Sequence, residues 1–194
     1  MYKYFILAGL IAVSACHKTP VTTPPPPAGP EMDYSNFNDT TIAFGKYFSG
    51  DPDHNGIKDF SFYTLLVGDP ILQRDYRQYQ LAVAFQTSLP VDSNEQTPLL
   101  AKNAVISAGS PSGYNWYNAS DITLARKVIG STEAPFWEGA WKNANHQYVA
   151  IQINRNNLLY YGWLEISFDT MAGKLIVHRG AVCKEAGKEA KAGL

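Results

Sequence analysis

Apolar residues alternate along this chain with the two-residue period of a β-strand, and that regularity restricts the fold more than any motif. Tyr79, Leu81, Val83 and Phe85 alternate with Gln80, Ala82, Ala84 and Gln86, as in a strand with one face on a core and one toward water. Residues 41–48, 60–67, 136–141, 148–154, 158–169 and 174–182 read as further strands. Gly68-Asp69-Pro70, Arg155-Asn156-Asn157 and Thr170-Met171-Ala172-Gly173 are turn formers between them. Residues 96–106 are of mixed character, and the aromatic, asparagine-rich stretch Tyr114-Asn115-Trp116-Tyr117-Asn118 has no clear period. No useful length of helical periodicity occurs, so the expectation is an all-β, jelly-roll-like antiparallel β-sandwich in one domain, residues 40–182. Residues 183–194, rich in Lys, Glu, Ala and Gly, read as a frayed polar tail.

The N-terminus places the domain. Met1-Tyr2-Lys3 precedes an apolar run, residues 4–13, too short to span a bilayer as a mature helix. Residues 1–15 are thus expected to be an export signal. Val13-Ser14-Ala15-Cys16 resembles the lipobox of bacterial lipoproteins. That resemblance implies cleavage before Cys16, palmitate-type acylation of its thiol and amine, and anchoring to a membrane; several acyl chains hold where one does not. His17 stands where many enteric lipoproteins retained at the inner membrane carry aspartate, so the resemblance implies the outer membrane. Residues 16–39, containing Pro24-Pro25-Pro26-Pro27, read as an extended tether reaching about 3 Å per residue.

With Cys16 acylated, Cys183 is the one remaining thiol of the chain's two cysteines, and it reads as a small buried hydrophobe. Stability must then come from burial and from any bound ion. A formal charge of −1, with no basic run outside the tail, argues against nucleic acid as a partner.

One loop spells out a chemistry. Asp51, Asp53, Asn55, Ile57 (through its carbonyl) and Asp59 fall at positions 1, 3, 5, 7 and 9, with Gly56 at position 6 for the bend. This spacing wraps oxygens around a hard cation, Ca2+, and closing the ring would pin the two flanking strands as a hairpin. Position 12 is Phe62, not the bidentate glutamate of an EF-hand. The D-x-D-x-N-G-x-x-D-F pattern resembles the calcium loops of FG-GAP-type repeats and of secreted bacterial β-domains. A second stretch, Tyr161-Gly162-Trp163-Leu164-Glu165-Ile166, resembles the C-terminal part of such β-sandwich domains, which implies a shared fold and no activity.

Catalytic motifs are missing: no G-x-S-x-G, H-E-x-x-H, C-x-x-C or phosphate loop occurs, and His54, His146 and His178 stand isolated in sequence. Two uses of the aromatics remain. Trp137, Trp141 and Trp163 would form a platform for a glycan or an envelope protein. Alternatively, Glu138 and Glu165 would share an aromatic-walled cleft as a glycosidase-like pair. The reading that emerges is a lipid-anchored, calcium-stabilised binding or structural module of the cell envelope, non-enzymatic. The alternatives are that carbohydrate-active enzyme and an adhesin- or fimbria-like subunit pairing through an open sheet edge.

Overall fold

Alternation becomes architecture in a computed structural model that describes residues 29–109, 111–118 and 121–194; the leader, Cys16 and the proline run lie outside the described residues. The strands are β1 (Met32–Ala43), β2 (Phe48–Gly50), β3 (Phe60–Asp69), β4 (Arg74–Val83), β5 (Thr87–Val91), β6 (Val105–Ile106), β7 (Asn115–Tyr117), β8 (Ile122–Gly130), β9 (Phe136–Glu138), β10 (Gln147–Arg155), β11 (Leu158–Asp169), β12 (Lys174–Cys183) and β13 (Ala190–Lys191). One sheet runs β1-β12-β11-β10-β5-β7, the other β2-β3-β4-β8-β9, and β6 pairs with β13. Every pairing is antiparallel, and no helix forms among the described residues. The chain is a single-domain antiparallel β-sandwich.

The pleat of β11 shows how the core divides. Leu164, Ile166 and Phe168 point between the sheets, where they join Phe60, Phe62, Leu81, Leu124 and Val177. Each such burial stabilises the fold by about 1.5–3 kcal/mol. Tyr161 and Trp163 point the other way, into a second cluster with Tyr148, Ala181, Ala190 and Ala192 on the outer face of the first sheet.

Four expectations change. The strand expected over residues 41–48 is two: Thr41, Ile42 and Ala43 pair with β12, the chain turns at Gly45 (φ 83), and β2 joins the other sheet. The tether is shorter than residues 16–39, because β1 begins at Met32 and Met32–Asn36 already pair with Cys183–Arg179. A register shift between Asn36 and Thr40, with Asn38 and Asp39 at φ 54 and 52, breaks the period that would have revealed this strand. The tail is not frayed. Ala190 and Ala192 are fully buried, and Trp163 Nε1 donates to the Leu194 carbonyl at 3.2 Å, because alanines are small enough to lie flat over that indole. Finally, β8 carries no sequence assignment: a bulge around Leu124 and the pair Arg126-Lys127 interrupt its alternation. Cys183 is buried, and burial pushes its thiol up.

Removing residues 190–194 is expected to red-shift tryptophan emission and lower the Tm, because the outer-face cluster would open to water. A dispensable tail would leave both unchanged.

Candidate metal centre

The loop between β2 and β3 sits where the two sheets meet. Phe48–Gly50 pair with Phe60–Phe62, closing the hairpin around residues 51–59, and the Asp59 N–H donates to the Gly50 carbonyl at 2.9 Å. Inside, Gly56 adopts φ 88, which an L side chain resists, and the Gly56 and Asn55 amides donate to the two oxygens of Asp51 at 2.8 and 3.2 Å. Asp51, Asp53 and Asp59 each turn one oxygen inward, and the three atoms lie within 4.8 Å of one another. Oxygens on one calcium ion, at about 2.3–2.6 Å each, span up to about 5 Å. The three acids therefore fit such an ion.

Asn55 spends its side chain on hydrogen bonds within the loop. The Asn55 side chain turns its amide nitrogen to Asp53 Oδ2 at 3.0 Å, and its Oδ1 accepts the Ile57 N–H at 2.7 Å. Ile57 itself is exposed. The side chains gathered closely enough to hold a metal ion together are thus the three carboxylates.

Arg155, the last residue of β10, contributes what sequence spacing did not reveal. Its Nε lies 2.7 Å from Asp53 Oδ2, yet its N–H is not aimed there, and Nε and Nη2 are both buried without a hydrogen-bond partner. This is an ion pair without a hydrogen bond. Its guanidinium stacks over Tyr160 at 4.3 Å. Thr87 of β5 reaches Asp59 Oδ1 at 3.4 Å, while the Ala84 N–H donates to the Asp59 carbonyl at 2.8 Å. Asp59 is 3% exposed, and its Oδ2 has no partner at all. The buried Asp59 carboxylate thus has one oxygen with no hydrogen bond, beside two other carboxylates. Fully ionised, three carboxylates less one guanidinium leave two negative charges, which a divalent ion would neutralise.

Titration follows from this geometry. Burial, then the charges of Asp53 and Asp51, push Asp59 up to about 7. Burial, reinforced by a hydrogen bond to Asp51, raises Asp53, although Arg155 opposes the shift. For Asp51, burial also acts upward, but the Gly56 and Asn55 amides and the Asp53 contact outweigh it and hold the carboxyl below its ordinary range.

The other singled-out residues do not converge. Trp141 and Trp163 are each 0% exposed, and Trp137 packs on Tyr79 and Phe168 with its Nε1 donating to the Thr170 carbonyl at 3.0 Å. Two of the three expected platform tryptophans, Trp141 and Trp163, are therefore core, and Trp137 is half-buried against it, since large rings fill a sandwich better than they stand in water. Glu138 lies on β9 of the second sheet, bonded to Arg126 Nε at 2.7 Å, whereas Glu165 lies on the outer face of the first. The core separates them, so they share no cleft.

No known protein family, curated protein or solved structure matches this chain.

In chelator, Asp59→Asn is expected to melt above the native protein at pH 8. A raised carboxyl stabilises the fold fully below its ordinary value of 3.8 and loses that contribution as pH rises through about 7. Asparagine needs no ionisation, so the gap should narrow steadily as pH falls below about 7 and vanish only near 3.8. A gap independent of pH would contradict the assignment.

Proposed function

We propose that this chain is a structural or binding module of the bacterial cell envelope, held to a membrane by acylated Cys16 and braced by a calcium ion on Asp51, Asp53 and Asp59. One observation supports the ion above all: a buried Asp59 carboxylate with a partnerless oxygen, grouped with Asp51 and Asp53 within 4.8 Å. The ion is architectural. The lipobox-like Val13-Ser14-Ala15-Cys16 supports the anchor, and the short stretch from residue 17 to Met32 is the tether that remains once β1 has joined the sheet. The outer membrane is the proposed location, on the grounds of His17.

At millimolar calcium and an affinity in the range of about 0.1–1 mM, occupancy contributes about 1 kcal/mol. That corresponds to a Tm rise of about 2–4 °C for a chain of this size. Differential scanning calorimetry with calcium and with chelator reads this directly; equal melting in both, with no calcium heat by titration calorimetry, would refute the brace. For the anchor, mass spectrometry of the membrane fraction should find diacylglycerol and an N-terminal acyl chain on Cys16, and Cys16→Ser should release the protein.

A second reading, the adhesin-like subunit, has its own observation. β2 covers β3 only at Phe60–Phe62, so from Tyr63 to Asp69 one edge of β3 has no strand beside it among the described residues, and Leu65, Leu66 and Val67 on it are exposed. An apolar open edge is a template for another strand. Leu66→Lys should abolish any self-association seen by sedimentation; if the native protein sediments as a monomer at every concentration, self-pairing is refuted.

A further inference from the structure

His146 and His178, isolated in sequence, stack ring on ring on the outer face of the first sheet, with centroids 4.2 Å apart and planes 20° from parallel. Each holds a carboxylate through Nδ1. His146 meets Glu165 Oε1 at 2.7 Å, and His178 meets Asp39 Oδ1 at 2.6 Å. Arg179 Nε fixes the other Glu165 oxygen at 2.6 Å. At the far side of its ring, His178 Nε2 lies 2.7 Å from Ser167 Oγ, which also accepts the His146 backbone N–H at 2.9 Å.

The donors decide where the protons are. A carboxylate accepts only, so His178 carries its proton on Nδ1, toward Asp39. In the neutral imidazole Nε2 is then the acceptor, and the Ser167 hydroxyl donates to it. Hydroxyl, imidazole and carboxylate in this order are a nucleophile, its base and the group that orients the base.

The backbone is unusual at the same spot. Asp39 and His146 are non-glycine residues at φ 52 and 50, a conformation that costs energy and gathers at functional sites. His178 is the extra residue of a β-bulge, because the register passes from Glu165↔Arg179 to Ile166↔Val177. Bulges re-aim a side chain next to sites of chemistry. A surface pocket of about 500 Å³ opens here between Tyr34, Asn36, Asp39, His146, His178 and Arg179.

We infer that Ser167, His178 and Asp39 form an acyl-transfer site for short-chain carboxylic esters, an activity separate from the calcium brace. Ser167, 7% exposed, lies behind His178, which lines the pocket, so the substrate this site would take is an ester of a small acyl group such as acetyl, its alcohol portion in the pocket. In the first half-reaction, Ser167 Oγ bonds to the ester carbonyl carbon and its proton passes to His178 Nε2. The carbon–alkoxy bond then breaks, and the alcohol leaves with that proton. In the second, water gives a proton to His178 Nε2 and adds to the acyl carbon; the Ser167–acyl bond breaks, the proton returns to Ser167 Oγ, and a carboxylic acid departs. Ser167 and His178 are the catalytic residues, and Asp39 is a positioning residue acting through His178.

A fluorophosphonate probe on the purified full-length protein tests this, with the adduct mapped by peptide mass spectrometry and 4-nitrophenyl acetate as the turnover substrate. The adduct is expected on Ser167, with acetate released catalytically. Ser167→Ala should abolish both, and His178→Asn should slow labelling by about a hundredfold, the contribution of a positioned base. Asp39→Asn, at an exposed side chain, should slow labelling without moving the Tm, which a purely structural hydrogen bond would not do. No adduct on Ser167 in the folded native protein, or turnover unchanged in a folded Ser167→Ala, would overturn the inference whatever the outcome of the calcium experiments.

Discussion

Mutual repulsion among Asp51, Asp53 and Asp59 is the constraint on which the architecture of this sandwich turns. Their oxygens lie within 4.8 Å of one another at one end of the two sheets, with Asp53 and Asp59 buried. Like charges that close raise each other's pKa unless something positive intervenes. Arg155 supplies one unit from the first sheet, and Thr87 adds a weak contact from the same sheet. The loop belongs to the second sheet. The cluster is therefore a joint: its charges decide how firmly β2 and β3 are held against β5 and β10.

This arrangement explains why a chain with no disulfide among its described residues can keep a long loop in a fixed shape. The amides of Asn55 and Gly56 are spent on Asp51, and Gly56 supplies the left-handed turn. What stays unsatisfied is deep: Asp59 Oδ2 and two guanidinium nitrogens of Arg155. Leaving such groups buried and unpaired costs stability. A divalent cation would offset that cost at Asp59, since the fully ionised cluster carries two negative charges net of Arg155.

The strand pattern was legible because period two is a local property. It showed β4, β10, β11 and β12, whose residues alternate between a core and a second face, and it led to the sandwich. It failed where the backbone departs from the pleat: at the β1 bulge around Asn38 and Asp39, and at Leu124 in β8. The carboxylates of the loop were legible for the same reason, since they lie within nine residues of one another. Arg155 was not, because only the antiparallel return of β10 brings a turn-like arginine to Asp53. The histidines show the same limit. His146, Glu165, Ser167, His178 and Asp39 come from four separate segments, and a bulge in β12 aims His178 at its partners. The tryptophans misled because an aromatic reads alike in sequence whether it lines a groove or, like Trp141 and Trp163, fills an interior.

A crystal structure of the protein grown with millimolar calcium tests the joint most directly. The account predicts one strong density peak about 2.3–2.6 Å from oxygens of Asp51, Asp53 and Asp59, with an anomalous signal appropriate to calcium. Three carboxylates enclosing only water, or splayed toward solvent with Arg155 alone between them, would contradict it.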